Sequence, residues 1–125
     1  MRNRPILRLL GLALASGAAL SGCFSERSAI TETPPGQDLC ASPTASTVQI
    51  RNFAFGGGEI RVSRGTRVTW VNCDTEAHTS TSDASGWDSG LLVPKATYSR
   101  TFDQAGRFAY HCEPHPFMKG TVVVE

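Results

Sequence analysis

Histidine and methionine are scarce in this chain of 125 residues: three of the first (His78, His111, His115) and two of the second (Met1 and Met118). Three histidines cannot supply two separate metal centres that each need several imidazoles. Long hydrophobic runs are missing as well. The longest apolar stretch, Leu9 to Leu20, is about a dozen residues, short of the roughly 20 that cross a bilayer as a helix. No segment carries an amphipathic helical stripe of useful length, which argues against a helical fold. There is no surplus of basic charge, with 12 Lys and Arg against 11 Asp and Glu, so nucleic acid is not an expected partner. The length allows one domain and excludes two.

The N-terminus has the form of an export signal over residues 1–22: Arg2, Arg4 and Arg8, then the Leu- and Ala-rich stretch, then Leu20-Ser21-Gly22-Cys23. That last tetrapeptide resembles the lipobox of bacterial lipoproteins, which implies that Cys23 is lipidated and becomes the first mature residue. Ordinary cleavage among Ala15, Gly17 and Ala19 is the alternative. The expectation is an exported, periplasmic or cell-surface protein anchored to the membrane through Cys23, since two or more acyl chains hold a protein stably on a bilayer. Without the three leader arginines, nine basic residues face eleven acidic ones, and the mature chain is slightly negative.

Residues 23–45 are rich in Ser, Thr, Pro, Gly and charge, including Thr33-Pro34-Pro35-Gly36, and show neither helical nor strand periodicity. They are expected to form a flexible tether. From Ser46 the pattern changes to short alternating runs: Thr47 to Phe55, Glu59 to Ser63, Thr66 to Asn72, Ala96 to Phe102, Arg107 to Cys112 and Gly120 to Glu125. Breaks fall at Gly56-Gly57-Gly58, Arg64-Gly65, Asp83 to Gly90 and Gln104-Ala105-Gly106. Short strands with one apolar face bury a core only by pairing two sheets or closing a barrel. Residues 46–125 are therefore expected to fold as an all-β Greek-key sandwich of about seven to eight strands.

Export places four cysteines where thiols are usually oxidised. With Cys23 assigned to the lipobox and Cys112 to the cluster below, Cys40 and Cys73 remain as a disulfide pair that would staple the tether's end to the domain. Two buried thiols, or Cys73 as a metal ligand, are the competing readings.

The segment from Tyr110 to Met118 places Cys112, His115 and Met118 at Cys-x-x-His-x-x-Met spacing after a strand. Thiolate and thioether favour cuprous ion and imidazole suits both copper states, whereas zinc has little use for methionine. A trigonal plane of two His and one Cys with a weak axial Met is the arrangement of electron-transfer copper, so a second histidine must come from elsewhere. His111 neighbours Cys112 on a strand and should face the other way. His78 remains, just after the apolar run ends at Asn72, where a sandwich would present a ligand at its rim.

With these residues in view, the chain is similar to the cupredoxins over roughly Ser46 to Glu125, and its ligand loop, Tyr110-His111-Cys112 with Pro114-His115-Pro116-Phe117-Met118, is especially similar to amicyanin. Plastocyanin and pseudoazurin have a longer His-to-Met spacing. Trp70-x-Asn72, His78-Thr79, Asp88-Ser89-Gly90-Leu91 and the closing strand extend the likeness. The resemblance implies one copper ion held by His78, Cys112, His115 and Met118, and no enzymatic activity. It also marks Thr79, where cupredoxins often carry Asn, as a residue linking the two ligand loops beside the sulphur. The lipobox, the tether and the Cys40 and Cys73 pair lie outside the usual amicyanin pattern.

Fast one-electron exchange requires ligands held by the protein. Pro114 and Pro116 flank His115, fix two φ angles and push the preceding residues out of the helical region. Pro114 also has no N–H to offer the nearby sulphur. Asn72 is placed with Thr79 and Pro114 among the supports of the site. Pro116, Phe117 and Leu91 or Leu92 would form an apolar rim around an exposed His115 edge, where a redox partner such as a c-type cytochrome, a dehydrogenase or a reductase docks a monomeric carrier. The alternative is an extracytoplasmic copper carrier or store, which would call for an open site and typically several methionines. A Cys112 nucleophile would leave Met118 and the paired prolines unexplained.

Overall fold

The computed structural model describes residues 36–125, so the expected signal segment, Cys23 and the first part of the expected tether lie outside the described residues. Eight strands form two four-stranded sheets. One sheet has the order β2 (Ala54–Phe55), β1 (Thr47–Arg51), β4 (Thr66–Asn72), β6 (Thr97–Phe102). The other has the order β3 (Glu59–Val62), β8 (Lys119–Val124), β7 (Gly106–His111), β5 (Thr81–Ser82). There is no helix among the described residues. The expected all-β sandwich is the fold observed.

Strand alternation builds the interior. Val48 and Ile50 of β1 and Val68 and Trp70 of β4 point inward and are buried, as are Tyr110 of β7 and Val122 and Val124 of β8 on the facing sheet. Each fully buried side chain of this size contributes about 1.5–3 kcal/mol relative to exposure. Trp70 stands at the middle of the aromatic packing, 5.4 Å from Tyr110 edge-to-face and 5.8 Å from Trp87. Burial pushes the Tyr110 phenol up to about 12, so the ring enters the core neutral. Its cross-strand partner is Gly120. A Cβ at that position would sit 2.4 Å from the Tyr110 Cζ and hydroxyl oxygen, so only glycine leaves room for the ring under the site.

Two strand pairs are parallel, β1 with β4 and β3 with β8, and the rest are antiparallel. The parallel pair β1 and β4 ends together at Arg51 and Asn72, which brings the turn after β1 beside the loop after β4. In the second sheet β7 and β8 form a hairpin whose register pairs His111 with Lys119, leaving residues 112–118 as its loop. Both candidate ligand segments thus leave the same end of the sandwich.

Three details differ from the alternation pattern. The run Thr47 to Phe55 breaks into β1 and β2 at Asn52 (φ 54°) and Phe53 (φ 56°), two left-handed residues making a two-residue hairpin turn. Strand β5 is two residues long, too short for alternation to reveal. Trp87, inside the break from Asp83 to Gly90, is a buried core residue whose Nε1–H donates to Ser80 Oγ at 3.0 Å.

Among the described residues before Ser46, the end of the expected tether packs against the domain at Leu39 and Cys40. Leu39 is buried, Gln49 Nε2 donates to the carbonyls of Leu39 (2.7 Å) and Cys40 (3.0 Å), and Arg51 donates to the Cys40 carbonyl at 2.9 Å. Cys40 and Cys73 are disulfide-bonded across 33 residues, which makes Cys73 a bridge partner and not a metal ligand. Closing a loop of that size stabilises the fold by about 3–4 kcal/mol in the chain-entropy account. Replacing both cysteines by serine should lower the unfolding free energy by about that amount. Urea denaturation checks this, and an unchanged midpoint would contradict it.

Candidate metal centre

The apolar run of β4 stops at Asn72, whose fully buried amide organises the loop that follows. Its Nδ2 donates to the carbonyls of Glu76 (2.7 Å) and Leu92 (2.8 Å), and its Oδ1 accepts the Asp74 N–H at 2.9 Å. His78 then enters an isolated bridge with Leu92, the two exchanging both backbone hydrogen bonds. This pins the backbone of residue 78 and leaves its ring free to turn inward, where it is fully buried.

The second segment is the β7–β8 loop. The Cys112 N–H donates to the Met118 carbonyl at 3.1 Å and the Met118 N–H to the His115 carbonyl at 2.9 Å, so a short tight loop returns the chain to β8. Phe108 and Tyr110, of the same parity as Cys112, both pack in the interior, Tyr110 buried and Phe108 partly so. Cys112 and Met118 are buried within the same cluster, while His115 is half-buried at the rim.

These segments bring His78, Cys112 and His115 together. Cys112 Sγ lies 3.7 Å from Nδ1 of His78 and 3.7 Å from Nδ1 of His115, and the two Nδ1 atoms are 3.2 Å apart. The point equidistant from the three lies about 2.1 Å from each, and metal–nitrogen bonds in proteins are about 2.0–2.1 Å. A soft sulphur, two imidazole nitrogens and a buried thioether residue at the loop's end fit a copper ion in donor type as well as spacing. His111 is not part of the group: its Nδ1 pairs with Asp83 Oδ1 at 2.5 Å.

Thr79 ties the two segments. Its N–H donates to Cys112 Sγ at 3.4 Å and its hydroxyl accepts the Glu113 N–H at 2.9 Å, so the threonine side chain itself links the two segments. Pro114 offers the sulphur no N–H, and Thr79 supplies the backbone hydrogen bond that Sγ accepts.

Two residues of the site were not found from sequence. The Asp74 carboxylate accepts the N–H groups of Asn52 (2.6 Å, Oδ1) and Phe53 (2.9 Å, Oδ2), and its Oδ2 also lies 3.0 Å from Nε2 of His78. Burial works to raise its pKa, but the amides of Phe53 and Asn52 and the His78 ring outweigh that and hold it below the usual carboxylate value. The Phe53 ring stands edge-to-face on both histidines, 5.2 Å from His78 and 4.9 Å from His115. Asp74, four residues before His78, was a visible signal; nothing local pointed to Phe53.

Around the rim, Phe53, Leu91, Val93 and Phe117 are the exposed large hydrophobic residues among the described residues. Phe117 packs at 6.1 Å from the His115 ring, and Leu91 and Val93 flank the Leu92 that pairs with His78. Pro116 is exposed beside them.

Comparison with known proteins gives the same account. Residues 43–125 match the family model of copper-binding proteins of the plastocyanin/azurin family. Amicyanin-alpha of Methylorubrum extorquens is 35% identical over 119 residues, 90% of this chain and 98% of that one. A mutant amicyanin in its Cu(I) form superposes with a TM-score of 0.61 at 33% identity, covering 69% of this chain and 89% of that one. An oxidised mutant amicyanin superposes with a TM-score of 0.62, with the same identity and coverage. Fold, donor cluster and likeness converge, and the chain belongs to the plastocyanin/azurin family of copper-binding proteins.

Proposed function

We propose that this protein is an exported one-electron carrier, tethered to a membrane through lipidated Cys23, whose copper is held by His78, Cys112, His115 and Met118. The observation that carries the reading is the compact triangle of Sγ and two Nδ1 atoms closed by a proline-stiffened loop. Copper, when bound, supplies a centre that takes up and releases one electron. The residues supply rigidity: Pro114 and Pro116 restrict the loop on both sides of His115, and the Thr79 hydroxyl locks it to the His78 segment. His78 and Cys112 are fully buried, which favours retention of the ion over its transfer to another protein.

His115 is the ligand that reaches the rim, so its exposed edge is the route to a partner. The apolar collar of Pro116, Phe117 and Leu91, extended by Phe53 and Val93, suits a close contact that excludes water. The slight negative charge of the mature chain argues against long-range steering as the main source of association. A c-type cytochrome, a dehydrogenase or a reductase is the partner class proposed. With Cys40 bonded to Cys73, the 17 residues from Cys23 to Cys40 limit the reach from the anchor to about 60 Å. Such a carrier works close to its membrane.

Three measurements test this. With cupric ion the purified domain should show an intense blue thiolate-to-copper band that Cys112→Ser abolishes; a blue Cys112→Ser protein would refute the ligand set. Pro114→Ala introduces an N–H near a sulphur that now accepts only the Thr79 amide from the backbone, and a further hydrogen bond withdraws electron density from it. The reduction potential should rise, and an unchanged or lower value would count against this account. Cys23→Ser should move the expressed protein from the membrane to the soluble fraction; continued membrane retention would remove the anchor.

A further inference from the structure

Two consecutive left-handed residues without glycine are uncommon, and a phenylalanine in that region is an outlier that the surroundings must hold in place. Asn52 and Phe53 adopt it where the β1–β2 turn meets the copper end of the sandwich. What holds them is one carboxylate. Asp74 accepts both turn amides and, through the oxygen that takes the Phe53 N–H, also meets Nε2 of His78. Its side chain is 11% exposed, so these bonds are largely removed from competing water.

We propose that Asp74 is a positioning residue with two linked effects on the metal centre: it fixes the His78 ring with Nδ1 toward the copper, and it seats Phe53 over both histidines. The proposal rests on the ligand set given above. A carboxylate acceptor requires Nε2 to carry the ring proton, which leaves the Nδ1 lone pair facing Cys112 and His115. The same bond makes His78 a stronger electron donor than a bond to a neutral acceptor would, and a more basic ligand favours the cupric state. Through the turn amides the carboxylate also places the Phe53 ring edge-to-face on His78 and His115. One side chain thus sets the orientation, the electronic character and the cover of the first ligand.

The experiment compares Asp74→Asn with Glu76→Gln, which removes the same charge from the same loop at an exposed position. Both are loaded with copper and titrated against redox mediators. The potential of Asp74→Asn should rise by clearly more than that of Glu76→Gln; a shift no larger than the control overturns the proposal. A measurement on the unaltered protein stands independently of whether the variant folds. In the cuprous form, which is diamagnetic, the Nε2–H proton of His78 should exchange with water far more slowly than that of His115. Equal, rapid exchange at both rings overturns the proposal. A blue band that is present while these readouts fail would leave the ligand set standing and remove only the role of Asp74.

Discussion

Two imidazole nitrogens and a sulphur lie within 3.7 Å of one another at the end of this sandwich, close enough for all three to share one metal ion. Such crowding has to be imposed by the fold. The β7–β8 hairpin fixes two of the atoms relative to each other, because Cys112 and His115 belong to one loop whose ends are in register at His111 and Lys119. The third atom comes from 34 residues earlier in the chain, so the link between loops decides whether a site exists. Thr79 makes that link twice, by amide to the sulphur and by hydroxyl to the Glu113 amide.

The rigidity of the hairpin comes from the sandwich beneath it. Tyr110 lies two residues before Cys112 and packs over Gly120, two residues after Met118, so the strands approach closely just below the loop. Cys112 and Met118 belong to the same buried cluster as Trp70, Tyr110 and Val122. The metal-binding end is continuous with the hydrophobic core, and a displacement of Cys112 would have to disturb packing that is as dense as the rest of the interior. The His78 side differs, because it hangs on polar bonds from Asn72, Asp74 and Thr79 and on the bridge to Leu92.

This division explains what was legible in the sequence. Strand alternation and turn residues carried the sandwich because burial on one face writes a period of two into β1 and into the first part of β4 and of β8, before both run out into three consecutive buried residues. Cys112, His115 and Met118 were visible because one loop holds all three at short spacing, and His78 followed from the small number of histidines. The turn at Asn52-Phe53 was hidden because phenylalanine is no turn signal; its backbone is held by a carboxylate 21 and 22 residues away, a tertiary contact that local pattern does not contain. Trp87 was equally opaque, since nothing in its Gly- and Ser-rich loop shows locally that the ring packs on Trp70 and donates to Ser80.

The supports of the first ligand meet in three consecutive residues. Leaving β4, Asn72 reaches the Leu92 loop, Cys73 bonds the segment that arrives from the N-terminus, and Asp74 holds the turn between β1 and β2. Each ties the loop to a different part of the chain, so a stretch with no regular structure is held from three directions. A polar loop at the rim is ordinarily among the most mobile parts of a domain. Three long-range ties convert this one into a fixed mount, and they do so without extending a strand, which at about 3.3 Å per residue would have carried His78 roughly 20 Å beyond Asn72 and away from the hairpin.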